Sequence, residues 1–250
     1  MLVLLPPSEG KASAPRRGRP ADPATWAFPE LGPTRERVAK ALHEASAGHD
    51  RLSVLGVSEA LREEVLANLD LTTAPARPAA EVYTGVLYDA FGYAGLDPAA
   101  RRRANRWVLV FSALHGVLRL TDRIAPYRLA IGTRLPLTGP LEPVWRTALS
   151  PVLTEAAGSG IVVDARSGAY AAMWRPSGAV AERWVSIAVP GASHMAKHTR
   201  GLVARHLAVV GATPRTPAAL AEVAARGFDA DLAPPVRPNQ PWVLSVRPPT

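Results

Sequence analysis

The chain opens on five apolar residues, Met1 to Leu5, stopped by Pro6 and Pro7. That pattern predicts a buried strand running into a loop. Similar short apolar runs recur at Trp107 to Ser112, at Ile161 to Asp164, within 183–191 and within 241–249, and each predicts a strand. Between them the period lengthens to that of helices. Over 34–47, Val38, Ala41, Leu42 and Ala45 share one face behind Thr34 as N-cap. A tight turn at Gly56 and Val57, with Ser58 as the next cap, leads into a second helix over 59–68, so 34–69 predicts a helical hairpin. Residues 12–33, rich in Pro, Arg, Ala and Gly, predict an irregular cover pinned by Trp26 and Phe28, and 73–80 predict a loop. The stretch 81–96 reads as a helix or short turns carrying aromatics, and 98–106 as a basic helix end. Turns near Pro126 and a strand over Arg128 to Ile131 follow, then a helix over 143–157 bent at Pro151. A helix ended by Gly211 and another within 216–227 complete the set. Helices and strands alternate without repeats or a break in composition. The expectation is α/β: one domain over 1–250, a mixed sheet with surrounding helices.

Composition narrows the function classes. With 250 residues, 48% hydrophobic and 20% charged, the chain can bury a sizeable core and is not a disordered polymer. The absence of cysteine excludes disulfide scaffolds, thiolate zinc sites and cysteine nucleophiles, and favours a reducing compartment. No window approaches the roughly 20 apolar residues of a membrane span, and no basic region precedes the opening apolar run, so a cytoplasmic location is expected. The net charge of +8 suits phosphate binding. Nearly all of it is arginine in an Arg-, Ala- and Pro-rich chain, as a GC-rich coding bias would also give. The three lysines, Lys11, Lys40 and Lys197, are more informative, because a chain so biased keeps few.

Recognised motifs are few. There is no phosphate loop of the Gly-rich Lys-Ser/Thr type, and "GSGIVV" at 158–163 precedes a strand instead of following one. Ser8, Ser112 and Ser167 lack a nucleophile elbow. His194 and His198 stand four apart on one helix, but nothing is placed to complete a metal site, and they read as a surface pair. No metal and no cofactor are expected. What stands out is polar residues just past strand ends: Ser8, Glu9 and Lys11 after the first, Arg119 and Asp122 after the 107–112 strand, Arg166, Ser167 and Tyr170 after the 161–164 strand. In open α/β sheets such groups converge on one crevice. Guanidinium groups there suit an anion, and a lysine beside them can act as base or nucleophile. The bland alternative is an ion-pair network fixing loops, with Arg119–Asp122 and Arg128–Glu142 as pairs. The hairpin turn "LGVSEALREEVL" partly matches a helix-hairpin-helix, which offers backbone N–H groups to DNA phosphate. Ser58 replaces its second glycine, and Glu59, Glu63 and Glu64 load the second helix with negative charge.

Five blocks, "MLVLLPPSEGK", "VYTGVLYDAF", "FSALHGVLRLTDRIAPYRLAIGTRL", "VVDARSGAYAAMW" and "MAKHTRGLVAR", occur in this order. Together they resemble the YaaA family of bacterial peroxide-stress proteins over about residues 1–210. The resemblance implies a single domain of the fold sometimes called cantaloupe, with a helix-hairpin-helix element, a part in resistance to hydrogen peroxide, and binding to duplex and branched DNA. It carries the family's positions onto Lys11, Arg119, Asp122, Tyr127, Arg128, Arg134, Tyr170, Lys197 and Arg200. Ala130, His115 and Leu120 depart from the family's Glu, Tyr and Pro.

Two functions follow as expectations. The first is a DNA-binding protein of the oxidative-stress response, meeting DNA through Arg101, Arg102, Arg103 and Arg106 and through Gly56 and Ser58 at the hairpin turn. The second is an enzyme on a small anionic or nucleotide-like substrate. There Arg119, Arg128 and Lys197 hold the anion with Ser8, Tyr127, Arg134 and Arg200, Asp122 orients a guanidinium, and Lys11 or Tyr170 transfers a proton.

Overall fold

Seven strands build the sheet in this computed structural model, which describes residues 1–191 and 193–248, with the backbone alone at Ser193 and His194. They are β1 (Leu2–Leu5), β2 (Val108–Ser112), β3 (Gly116–Arg119), β4 (Val162–Asp164), β5 (Trp184–Ala188), β6 (Asp229–Ala233) and β7 (Trp242–Arg247). Their order is β6-β7-β5-β4-β1-β2-β3. The five inner strands run parallel, Val3 standing opposite both Val108 and Val163, while β3 and β6 are antiparallel at the two edges. Every residue of β1, β2 and β4 is buried, as strands covered on both faces require. The edge strand β6, by contrast, alternates exposed and half-buried positions and carries Asp229 and Asp231, charges that discourage edge-to-edge pairing.

The helices flank this sheet: α1 (Gly32–Ala47), α2 (Arg51–Leu55), α3 (Arg62–Leu66), α4 (Val86–Phe91), α5 (Pro98–Trp107), α6 (Leu141–Ala157), α7 (Ser193–Val210) and α8 (Pro217–Ala224). The Asp97 carboxylate caps α5 by accepting from the amides of Ala99 and Ala100, and the helix runs directly into β2. Arg35 of α1 is buried and donates to the carbonyls of Ala27, Phe28, His115 and Val117, so one guanidinium fastens the 12–33 cover to the sheet edge. Gly116 starts β3 at φ +73°, and a Cβ there would stand 2.5 Å from the buried Trp145 ring. No described helix is long and apolar enough to cross a membrane.

The departures from sequence expectation are local. Helix α1 starts at Gly32, two residues before Thr34, with Pro33 in its first turn. The second hairpin helix is a succession of pieces: a 3-10 turn over Glu59–Leu61, α3, and another over Ala67–Asp70. The strand expected over Arg128 to Ile131 is irregular. Its backbone pairs with a side chain instead: the Arg128 amide donates to Asn68 Oδ1 (2.9 Å) and the Asn68 amide returns to the Arg128 carbonyl (3.1 Å). β6 had no sequence expectation.

Candidate functional site

The site grows from the carboxyl end of β1, where the chain passes through Pro6 and Pro7 and doubles back along residues 82–84. Tyr88 Oη donates to the Pro6 carbonyl (2.6 Å), the Thr84 amide donates to Ser8 Oγ (3.0 Å), and the Ala12 amide donates to the Val82 carbonyl (2.9 Å). Lys11 pairs with Tyr83 as an antiparallel bridge. With its backbone so fixed, the Lys11 side chain turns back over its own loop. Nζ donates to the carbonyls of Ser8 (3.1 Å) and Glu9 (3.3 Å) and lies 4.4 Å from the centre of the Tyr127 ring. The Tyr127 hydroxyl bonds Ser112 Oγ (2.7 Å), at the end of β2, and the Tyr83 hydroxyl (3.1 Å). Ser112 Oγ also accepts from the His115 amide (2.9 Å). One hydroxyl network thus joins the ends of two neighbouring parallel strands beneath the lysine.

Charge at this centre is arranged unusually. Arg128 reaches the same Glu9 carbonyl as Lys11 (3.4 Å) and pairs at 3.5 Å with the exposed Glu64. Burial first, and the Arg128 charge second, lower the Lys11 ammonium to about 8, against the opposing pull of Glu64 and Glu9. Among the described residues no carboxylate forms an ion pair with Lys11. Tyr170, in a one-turn helix just after β4, completes the rim. Burial and the neighbouring Tyr127 raise its phenol above the ordinary range, and Glu9 and Arg128 also act on it. His115 is buried edge-on against Trp26 (4.8 Å) and Tyr127 (5.3 Å), and its Nε2 has no partner among the described residues. Burial, then Arg35 and Lys11, hold it down to about 3, so it is neutral.

The structure therefore brings Ser8, Lys11, Tyr127 and Arg128 together with Tyr170 beside them, and gives Arg119 and Asp122 other partners. β3 runs antiparallel, so Arg119 lies at the amino ends of β1 and β2, the far end of the sheet from Lys11. There it donates to the Arg106 carbonyl and stacks over Phe28. Asp122 is a loop fastener: its carboxylate accepts from the amides of Arg119 (2.8 Å) and Ala27 (3.2 Å). Burial raises its pKa despite these bonds. The expected Arg119–Asp122 contact is made through the arginine's backbone, and the expected Arg128–Glu142 pair is absent among the described residues. Arg128 takes Glu64, and Glu142 takes Arg146 one turn along α6. Arg134 is exposed in a two-residue strand paired with Gly139–Pro140. Lys197 is exposed on α7, and Arg200, half-buried on the same helix, donates to the Ile187 carbonyl (3.4 Å). Arg166 is wholly structural. Buried, it forks onto Asp164 (2.8 and 2.6 Å) and lies over the Phe111 ring. The side chain of His194 lies outside the described residues, and these hold no cluster of three metal-ligating groups.

The DNA candidates sit elsewhere. At the hairpin turn, Gly56 adopts φ +64° and its amide closes the end of α2, while the Val57 amide donates to Leu52, so neither N–H points outward to a phosphate. Ser58 makes no side-chain cap, and Glu59 pairs with Arg62. On α5, Arg103 is occupied, donating to the carbonyls of Ala208 and Val209 at the end of α7. Arg101 is exposed but donates to the Ala94 carbonyl (2.7 Å), and Arg102 and Arg106 are exposed. At the amino end of the sheet Arg119 donates to the Arg106 carbonyl, and Arg183 donates to the carbonyls of Gly158 and of Gly160, which lies against Met1. Sequence reasoning missed Tyr83, Ser112, Glu64 and Asn68 as members of the Lys11 centre. Of these, Tyr83 and Ser112 had a signal, each lying within one of the ordered blocks.

A family model described as peroxide stress protein YaaA matches residues 1–233. A UPF0246 protein of Streptomyces coelicolor is 48% identical over 98% of each chain. Another of Corynebacterium efficiens is 40% identical over 91% of this chain and 92% of its own, and one of Corynebacterium glutamicum is 39% identical over 84% and 85%. With a family match covering nearly the whole chain and relatives of this similarity along their full length, the chain belongs to the YaaA family of peroxide stress proteins.

Proposed function

We propose that this family member serves the peroxide stress response by binding DNA, largely without sequence preference, through the arginine face at the amino end of the sheet. The observation that carries the reading is Arg102 and Arg106, exposed one turn apart on α5, with Arg119 bonded to the Arg106 carbonyl and Arg183 to the carbonyls of Gly158 and Gly160 at the same end of the sheet. An open groove lined by Leu96, Pro98, Arg101, Arg102 and Asn105 continues that face. Guanidinium groups attract phosphate whatever the base sequence, and counterion release makes such binding fall with salt. The hairpin is a poorer docking point, since its turn amides are used internally and its second helix begins with acidic residues. The test is an anisotropy titration on duplex and junction DNA. Four phosphate contacts give a log–log salt slope of about −3.6, and Arg102→Ala with Arg106→Ala reduces it by about 2 while weakening all sequences alike. No binding at about 50 mM salt rejects the reading.

A second reading, an enzyme on a small anionic or nucleotide-like substrate, is favoured by one specific observation. Lys11 and Arg128 converge on one carbonyl at the carboxyl ends of β1 and β2, and the lysine has no carboxylate to neutralise it. A titratable group perturbed in this way, at the strand ends where open α/β sheets bind ligands, is a candidate for chemistry.

A further inference from the structure

An exposed basic segment lies in the cover over residues 12–33. Pro15, Arg16, Arg17, Gly18, Arg19 and Pro20 follow one another, and all from Arg16 to Pro20 are exposed. Its backbone is held down. The Arg19 carbonyl accepts from the Ala76 amide (2.9 Å), and Pro20 forms an antiparallel bridge with Pro75. Arg123 donates to the Ala76 carbonyl, and the Asp122 amide donates to the Arg119 carbonyl (3.2 Å). Through Arg123 and one tight turn, the segment is thus tied to the Arg119 end of the arginine face. Gly18 stands between Arg17 and Arg19 at φ +151°, where a Cβ would come 3.3 Å from Pro75 Cβ. The chain therefore lies flat against Pro75, with no side chain between the two arginines. Elsewhere Arg35, Arg103, Arg119, Arg123 and Arg205 spend their guanidinium groups on backbone carbonyls. Among the described residues Arg16, Arg17 and Arg19 make no ion pair. Asp22, the carboxylate nearest in sequence, accepts from the Ala24 amide instead (3.1 Å).

We propose that Arg17 and Arg19 enter the minor groove of duplex DNA and favour A·T-rich over G·C-rich sequence. This rests on the DNA reading above and adds the groove and the base composition, which phosphate contacts from α5 do not select. The minor groove is about 6 Å wide, too narrow for a helix. A segment bounded by prolines and thinned by a glycine fits it. Pro15 and Pro20 have fixed φ and no N–H, which keeps the segment out of helix and ladder. Over A·T runs the groove narrows and its negative potential deepens, drawing guanidinium groups in. In G·C pairs the guanine amino group stands on the groove floor and obstructs them. Guanidinium suits the place better than ammonium, because it is planar and more weakly hydrated. With Arg102 and Arg106 on phosphates, the segment adds selection by composition to a grip that has none of its own.

The experiment measures anisotropy of the full chain on two fluorescent duplexes of equal length, one with an all-A·T centre and one with an all-G·C centre. At about 50 mM salt the A·T duplex is expected to bind about tenfold tighter. Netropsin, which fills the A·T minor groove, is expected to displace the chain from it. Arg17→Lys with Arg19→Lys keeps every charge, so the salt slope stays while the preference drops at least about threefold. Arg102→Ala with Arg106→Ala weakens both duplexes alike and keeps their ratio. Equal affinity of the unmodified chain for the two duplexes overturns the proposal, and no variant has to fold for that result. The arginine-face reading then still stands if binding falls with salt. A preference that survives the double lysine variant also overturns the proposal, since another surface is then reading the groove. Binding to neither duplex removes this inference and the DNA reading together.

Discussion

Lys11 and His115 are two titratable groups whose folded environment disfavours their charged forms. The Lys11 ammonium titrates near 8 in the fold and near 10.5 when unfolded. Between those values the unfolded chain binds more protons, so stability rises as pH climbs from 8 to 10.5. Lys11→Met is expected to remove that rise, of the order of 2–3 kcal/mol, from the difference between unfolding midpoints at pH 7.5 and 10. His115, held near 3, acts at the acid end. Stability falls as pH drops from 6.5 toward 3, by about 2 kcal/mol at pH 5. His115→Phe keeps the edge-on contacts with Trp26 and Tyr127 and should abolish that loss, as denaturant titrations at pH 8 and 5 would read. The residues themselves were partly legible. Lys11 stood out for its rarity and its place after the first strand. His115 was visible only as a departure from the family's tyrosine, since nothing local says that its ring will be enclosed. Asp122 misled, because an aspartate fastening a turn and one orienting an arginine look alike until backbone partners are known.

At the scale of elements, buried side chains tie pieces of chain that the hydrophobic pattern describes separately. The cover over 12–33 has almost no periodicity, and Arg35 holds it with four carbonyl bonds. Arg35→Met leaves those acceptors without their donor and is expected to cost about 3 kcal/mol and expose the cover to proteolysis. Gly116→Ala meets Trp145 and an unfavourable φ together, for a comparable or larger loss of unfolding free energy. Strands and long helices were readable because their periods reflect burial on one or two faces. The hairpin's second helix broke into 3-10 and α pieces, and the strand over Arg128 to Ile131 never formed. In both places, contacts distant in sequence decide the backbone, as when Asn68 takes both hydrogen-bonding groups of Arg128.

At the scale of the molecule, strand order settles which charges meet. The alternation of elements predicted a mixed sheet, but nothing local says that β3 turns back. That reversal carries Arg119 away from Lys11, even though one stretch of sequence holds both Arg119 and Arg128. The sequence-level expectation of one cationic centre becomes two, at opposite ends of parallel strands. Doubling the ionic strength should therefore weaken DNA binding in the arginine-face titration, while phosphate protection of Lys11 from acylation changes much less, its amine being half-buried.

The antiparallel turn at Gly116 thus works as a divider. A strand of five residues keeps its two ends about 15 Å apart, farther than a screened charge is felt in a cell. Charges at the two poles therefore act on each other far more weakly than neighbours within either one. A substitution at Arg119 and one at Arg128 act on different surroundings, and each leaves the hydrogen bonds of the other in place.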